Sequence, residues 1–311
     1  MTQRRQVGSD RRRPAAELEP SEQLGVAGPA RLGVKKTWKL FLGGAFVRSE
    51  SGRYLVTADG NDNYPHASRK DARDAVKAAQ GALSGWAGRS GYNRGQILYR
   101  LAEVMEGRRE ELMESLERGG ASAARSEVDA AIDRAVSHAG WCDKLQSLLA
   151  SSNPVAGPHF GFSIPEPIGV VAIAAPDRPT LLGLVGSICP VIVSGNVAVV
   201  VVSESDPRTT LVFAECLATS DMPGGVVNLL TGPRQELLTP LAKHMAVRAL
   251  DLWNVAGELA VSLERDAADN VKRVSRREAD ESAWFDAERG AALTGIERFV
   301  ETKTVWHPMG A

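Results

Sequence analysis

Strand–helix alternation over residues 168–270 predicts an α/β protein built on a doubly wound parallel sheet, with a helical portion ahead of it. Short apolar runs recur at 168–174, 197–202, 226–230 and 247–253, each followed by a stretch with helical spacing. The run over 197–202 has six apolar residues with no polar break, the pattern of a strand buried on both faces. Upstream, over 68–150, apolar residues recur every three to four positions instead.

The elements follow in order. Residues 38–47 alternate around Gly43-Gly44 and predict a β-hairpin. Ser68 and Asp71 have the spacing of a capping box, opening a helix that carries Ala72, Ala75, Val76, Ala79, Leu83 and Trp86 on one face. A second helix carries Ile97, Leu98, Leu101, Met105 and Leu112, and a third spans about 126–150. Crossover helices are expected over 180–193, after Asp206-Pro207, over 234–244 and over 257–270. Beyond Val274 the apolar rhythm stops. The mostly charged run 272–290 predicts a solvated helix or loop, and 296–306 alternates like an edge strand.

These patterns divide the chain into a disordered tail (1–36), a hairpin and helical part (37–152), a β-hairpin arm (153–166), a nucleotide-type domain (167–275), a charged bridge (276–295) and a terminal strand (296–308). Length and composition suit a globular chain: 311 residues bury a core easily, and 43% are hydrophobic against 24% charged. A net charge of −1 gives no global pull toward nucleic acid or an anionic membrane, and no apolar run is long enough to span one. Cys142, Cys189 and Cys216 form an odd set without metal-ligand spacing, so a reducing, cytoplasmic setting is expected and no metal.

Several phrases resemble the aldehyde dehydrogenase superfamily in sequence order. They are LFLGGAFVRSESG (40–52), EPIGVVAI (166–173), the SGN before the 197–202 run, MPGGVVNLLTG (222–232) and FVETKTVW (299–306). The likeness is to the shortened, degenerate second copy found in two-part members. It implies a Rossmann-like sheet with N-terminal helices and a β-arm for oligomerisation, and a catalytic lobe that is missing.

Chemistry of that family needs a thiolate nucleophile, a water-activating carboxylate, an oxyanion-binding asparagine and a dinucleotide. All three cysteines lie in or before the nucleotide-type domain, where buried structural roles are expected. Pro176-Asp177-Arg178-Pro179 stands where the resemblance puts the asparagine. Arg277, or Glu278 after a one-residue slip, stands where it puts the catalytic glutamate, so no catalytic residue is assigned.

For the cofactor, the resemblance assigns Glu204 to ribose hydroxyls and Gly232 to the next strand end, with Val201 in place of the family's lysine. The phosphate-facing phrase becomes Val255-Ala256-Gly257-Glu258 without its serine, so the expectation is no cofactor, or weakly bound NAD. Together these imply a catalytically inactive structural or regulatory subunit, paired with itself as a homodimer or with an active aldehyde dehydrogenase chain. The alternatives are a non-catalytic NAD(H)-binding module, or an NAD-dependent aldehyde oxidoreductase whose site is completed by another chain.

Overall fold

A computed structural model describes residues 33–255 and 257–310. The expected tail therefore lies outside the described residues except for 33–36, which form no helix or strand, and Ala256 is outside them too. Every element belongs to the unit that starts at Thr37.

Strands β1 (Leu40–Leu42) and β2 (Ala45–Val47) form the hairpin at Gly43-Gly44. Both turn glycines have positive φ, +62° and +83°, the conformation a two-residue hairpin turn requires. A Cβ on Gly44 would lie 2.7 Å from the Gly224 Cα, so the close approach of the two loops also demands glycine. A small second hairpin follows, β3 (Tyr54–Val56) with β4 (Asn63–Pro65).

Helix α1 (Arg69–Ala87) opens on the capping box: the Ser68 hydroxyl accepts the Asp71 amide, and the Asp71 carboxylate accepts the Ser68 amide at 2.7 Å. The expected second helix is two, α2 (Gly91–Gly107) and α3 (Arg109–Arg118), divided at Arg108. The expected third likewise breaks after Ala139 into α4 (Ala124–Ala139) and α5 (Leu145–Leu149). Glycine costs about 1 kcal/mol in a helix interior, so Gly107 and Gly140 are the places where a long amphipathic pattern gives way.

Next come β5 (Ser151–Asn153) and β6 (His159–Pro167), an antiparallel pair. The alternating core then runs β7 (Val170–Ala174), α6 (Thr180–Val193), β8 (Val197–Val201), α7 (Pro207–Thr219), β9 (Val227–Leu230), α8 (Arg234–Lys243), β10 (Val247–Trp253), α9 (Gly257–Ala268) and β11 (Arg273–Arg277). Strands β7 to β11 are mutually parallel, and β1 and β2 extend the sheet antiparallel, giving the order β11-β10-β7-β8-β9-β1-β2. The chain moves outward from β7 through β8 to β9, then returns to lay β10 on the other side of β7. A crevice forms at the carboxyl ends where such a reversal occurs.

Every residue of β7 and β8 is buried, as strands covered by helices on both faces must be. Burying apolar surface on this scale, at about 25 cal/mol per Å², is what holds the layers together. Trp86, 1% exposed, ties α1 to the sheet's covering layer by donating its indole N–H to the Ile192 carbonyl at 2.9 Å.

The charged run departs from expectation. Its first residues complete β11, paired in register with β10 from Ala249↔Arg273 to Trp253↔Arg277. It then forms a 3₁₀ turn (Ser282–Phe285), α10 (Ala287–Gly290) and α11 (Leu293–Glu297), which bury Trp284 and Ile296 in the core. Composition predicts a solvated loop because it does not show that an arginine-rich strand can finish a parallel sheet when its partner strand supplies the counter-charge. Strand β12 (Val300–Pro308) closes the chain antiparallel to β6, from Val300↔Pro167 to Pro308↔His159.

At the start of α7, Arg208, 4% exposed, pairs with Asp59 and Asp62 at 2.9 Å each. The Thr57 hydroxyl foremost, then Asn61 and Arg208, hold the Asp59 carboxyl well below the usual carboxylate range. A carboxylate with a depressed folded pKa contributes stability above its unfolded value and loses it as pH falls. Asp59→Asn is therefore expected to destabilise the fold at neutral pH and to match the parent in strong acid, as urea melts across pH would read.

Candidate functional site

Glu204 and Gly232, the two positions proposed from sequence, lie on neighbouring loops at the carboxyl ends of β8 and β9. The chain brings them together around α8: the Glu204 carboxylate accepts the Arg234 amide, two residues after Gly232. A carboxylate at a helix N-terminus is favourable there. Gly232 has φ +139°, and a Cβ on it would sit 3.3 Å from the His66 ring, so close packing with the segment before α1 fixes it as glycine.

Two residues that sequence reasoning left without a role organise this rim. One Asp177 oxygen accepts the Ser203 hydroxyl at 3.0 Å and the Glu204 amide at 2.9 Å, tying the loop after β7 to the loop after β8. Its other oxygen faces the Arg234 guanidinium at 3.2 Å. Arg234, 8% exposed, also donates to the Ala175 carbonyl at 2.6 Å, yet its Nε has no acceptor among the described residues. A buried guanidinium nitrogen left without an acceptor is costly unless an anion arrives. The sequence signal for Arg234 was its place just after a Gly-Pro turn at a helix start, where anions bind. Arg178 turns away and donates to the Gly119 carbonyl.

Further along the same edge, Asp251 sits in the middle of β10 with no exposure at all. Arg277 reaches it from β11 in a bidentate pair, Nε to Oδ1 at 2.8 Å, and the Trp253 indole adds a bond to Oδ2 at 3.0 Å. Burial pushes the Asp251 carboxyl up, and the facing Arg277 opposes that push. The Arg277 guanidinium lies 3.9 Å from the Trp253 ring centroid. Glu278, the slipped alternative, points outward with 72% side-chain exposure.

Burial pushes Cys142, Cys189 and Cys216 each up to about 12, so the thiolate fraction at neutral pH is negligible. Each is buried, at 3% exposed or less. Among the described residues no cluster of His, Cys, Asp and Glu suits a metal ion, and no helix is long and apolar enough to cross a membrane.

The model of the aldehyde dehydrogenase family matches residues 56–276. The chain belongs to that family. It is 30% identical over 255 residues to a mitochondrial 10-formyltetrahydrofolate dehydrogenase of Mus musculus, a match covering 78% of this chain and 28% of that protein. An aldehyde dehydrogenase of Brucella melitensis superposes with a TM-score of 0.73 at 22% identity, over 80% of this chain and 53% of that one. PnpE of Pseudomonas sp. WBC-3, also solved with nicotinamide adenine dinucleotide, gives 0.74 at 25% identity, over 78% and 51%. The chain thus spans under a third of that curated relative and about half of those structures.

These matches correct four linked expectations. The chain is not placed as a degenerate second copy of a two-part enzyme, because the solved folds it superposes on are standalone aldehyde dehydrogenases. A class defined by a missing catalytic lobe fails for the same reason: the Rossmann-like sheet and N-terminal helices are laid out as in those standalone folds. The downstream phrases on which that expectation leaned fall at or beyond the end of the matched range, residue 276, so their divergence does not define the fold. The inactive structural or regulatory subunit, and with it the expectation of no enzyme, is likewise overturned by membership of the family and by a fold shared with PnpE, which is solved with nicotinamide adenine dinucleotide.

Proposed function

We propose that this chain is an NAD(P)-dependent aldehyde oxidoreductase whose active site is completed by another chain. The observation that carries this reading is the rim at the carboxyl ends of β7, β8 and β9. There the Glu204 carboxylate and the Arg234 guanidinium, buried with an unmatched nitrogen, meet at the start of α8, while every thiol is buried. Glu204 is placed to accept from ribose hydroxyls through the carboxylate oxygen that does not cap α8, and Arg234 to neutralise a phosphate. Asp177 holds both loops in register for that contact. The bound dinucleotide would supply the hydride acceptor. The nucleophile and the water-activating base would come from the second polypeptide, a role that an aldehyde dehydrogenase chain would fill.

Titration calorimetry with NAD and NADH tests the first half of this reading. Saturable binding is expected, weakened about ten- to a hundredfold in Glu204→Gln if a charge-assisted bond worth about 1.5–3 kcal/mol is lost. Absence of heat at millimolar dinucleotide would sink the proposal. For the second half, aldehyde-dependent NADH formation is expected only after mixing with a cysteine-bearing aldehyde dehydrogenase chain. Turnover by this chain alone that survives replacement of all three cysteines would contradict the assignment of the nucleophile to the partner.

A further inference from the structure

We propose that an arginine-lined cavity at the β10–β11 edge is a binding site for a small oxyanion, the phosphoryl or carboxylate group of a ligand. The cavity encloses about 310 Å³, and Arg134, Arg276, Arg277, Arg289 and Arg298 all line it. It lies beside the sheet edge rather than between β8 and β9, so it is separate from the dinucleotide rim and its occupancy does not depend on the activity proposed above.

Three observations point to an anion. First, the charges inside are poorly balanced. Asp251 beneath the cavity answers Arg277, and Glu278 reaches Arg276 only at 4.0 Å. No carboxylate among the described residues lies within ion-pair distance of Arg289 or Arg298, although Asp280, held down first by the Ala283 amide, also feels Arg289. Arg298 is near enough to lower the Asp251 carboxyl and to disfavour the charge on Arg277. Like charges gathered this way repel unless a counter-charge joins them.

Second, the floor is built and rigid. Arg134, 5% exposed, reaches across from α4 and donates to the carbonyls of Trp284 at 3.0 Å and Asp286 at 3.2 Å. Gly290 lies directly on that guanidinium, where a Cβ would collide with it, and a Cβ on Gly186 would sit 2.9 Å from the Trp284 ring. Trp253 and Trp284 pack with centroids 4.3 Å apart under Arg277. Third, the buried indole N–H of Trp284, a cavity-lining residue, lacks an acceptor among the described residues. A site rich in donors, with an orphan donor and few acceptors, is matched by a ligand that only accepts. Guanidinium groups bind planar carboxylate and tetrahedral phosphate in bidentate fashion, which suits either group.

Thermal melts of the intact chain with inorganic phosphate and with malonate, each against chloride at equal ionic strength, test the site. A saturable rise in midpoint with at least one of the two anions is expected. Its half-saturation should rise about tenfold in Arg298→Ala and in Arg289→Ala, both of which replace exposed residues and leave the fold intact. Arg118→Ala, remote on α3, should bind as the parent does. The anion that saturates at lower concentration distinguishes phosphoryl from carboxylate recognition. A midpoint that follows ionic strength alone, or a half-saturation unchanged in both cavity variants, would overturn the proposal. Because phosphate is read without dinucleotide, failure here leaves the NAD titration unaffected, and the reverse.

Discussion

Replacing Arg277 with methionine is expected to cost about 3–5 kcal/mol of stability, because it leaves the Asp251 carboxylate buried without its counter-charge. For a chain of 311 residues that corresponds to a fall in melting temperature of roughly 5–8 °C. The effect should depend on pH with a definite sign. Burial already pushes the Asp251 carboxyl up, and Arg277 opposes it. Without Arg277 only the Trp253 indole and the more distant Arg298 oppose the push, so the folded state takes up a proton that the unfolded state has released. A carboxyl with a raised folded pKa contributes stability in acid that is lost as pH rises. The deficit of the variant should therefore be largest at neutral pH and shrink on mild acidification. Adding Asp251→Asn should recover part of it at neutral pH, since a neutral amide is far less costly to bury than an unpaired charge. Urea melts of the three proteins at two pH values decide the matter, and a deficit under about 1 kcal/mol, or one independent of pH, would contradict it.

That pair also shows where the sequence stops being legible. Strands β7 and β8 were readable because unbroken apolar runs bear directly on burial, and the α1 start was readable because Ser68 and Asp71 cap locally. Asp251 and Arg277 are 26 positions apart, and only the parallel pairing of β10 with β11 brings them together. A hydrophobic pattern gives no register for two parallel strands joined by a helix. One signal was available: a lone aspartate in the apolar stretch Val247–Trp253 has to find a partner if the strand is central. The same limit hid the rim. Asp177 read only as a residue standing in the place of the family's asparagine, whereas its oxygens hold two loops and pair with Arg234 at 3.2 Å. The charged run 272–290 misled for a different reason, since its charges set the expectation while Trp284 within it, and Ile296 just beyond, are buried in the core.

Trp86→Ala is expected to lose a further large amount, about 3–5 kcal/mol, from a position whose helical spacing the sequence did reveal. The indole is almost wholly buried near the end of α1, and two effects add when it is removed. Packing of α1 over β8 and its neighbours is lost around the missing ring, leaving a cavity. The Ile192 carbonyl, at the end of α6, also loses the indole bond at 2.9 Å and keeps only backbone donors such as the Gly195 amide at 3.1 Å. Trp86→Phe separates the two effects, since it keeps most of the ring volume and removes only the donor. About 0.5–1.5 kcal/mol is expected for that variant, the net worth of one hydrogen bond to a carbonyl that keeps its backbone donors. The consequence for function runs through α6, which follows the Asp177 loop and leads into β8 and Glu204. If α1 acts as a brace for that segment, Trp86→Phe should bind NAD more weakly than the parent while still folding, in the same calorimetric titration. Equal stability of Trp86→Phe and the parent would show that the indole N–H contributes nothing, and would leave packing alone to join the helical portion to the sheet.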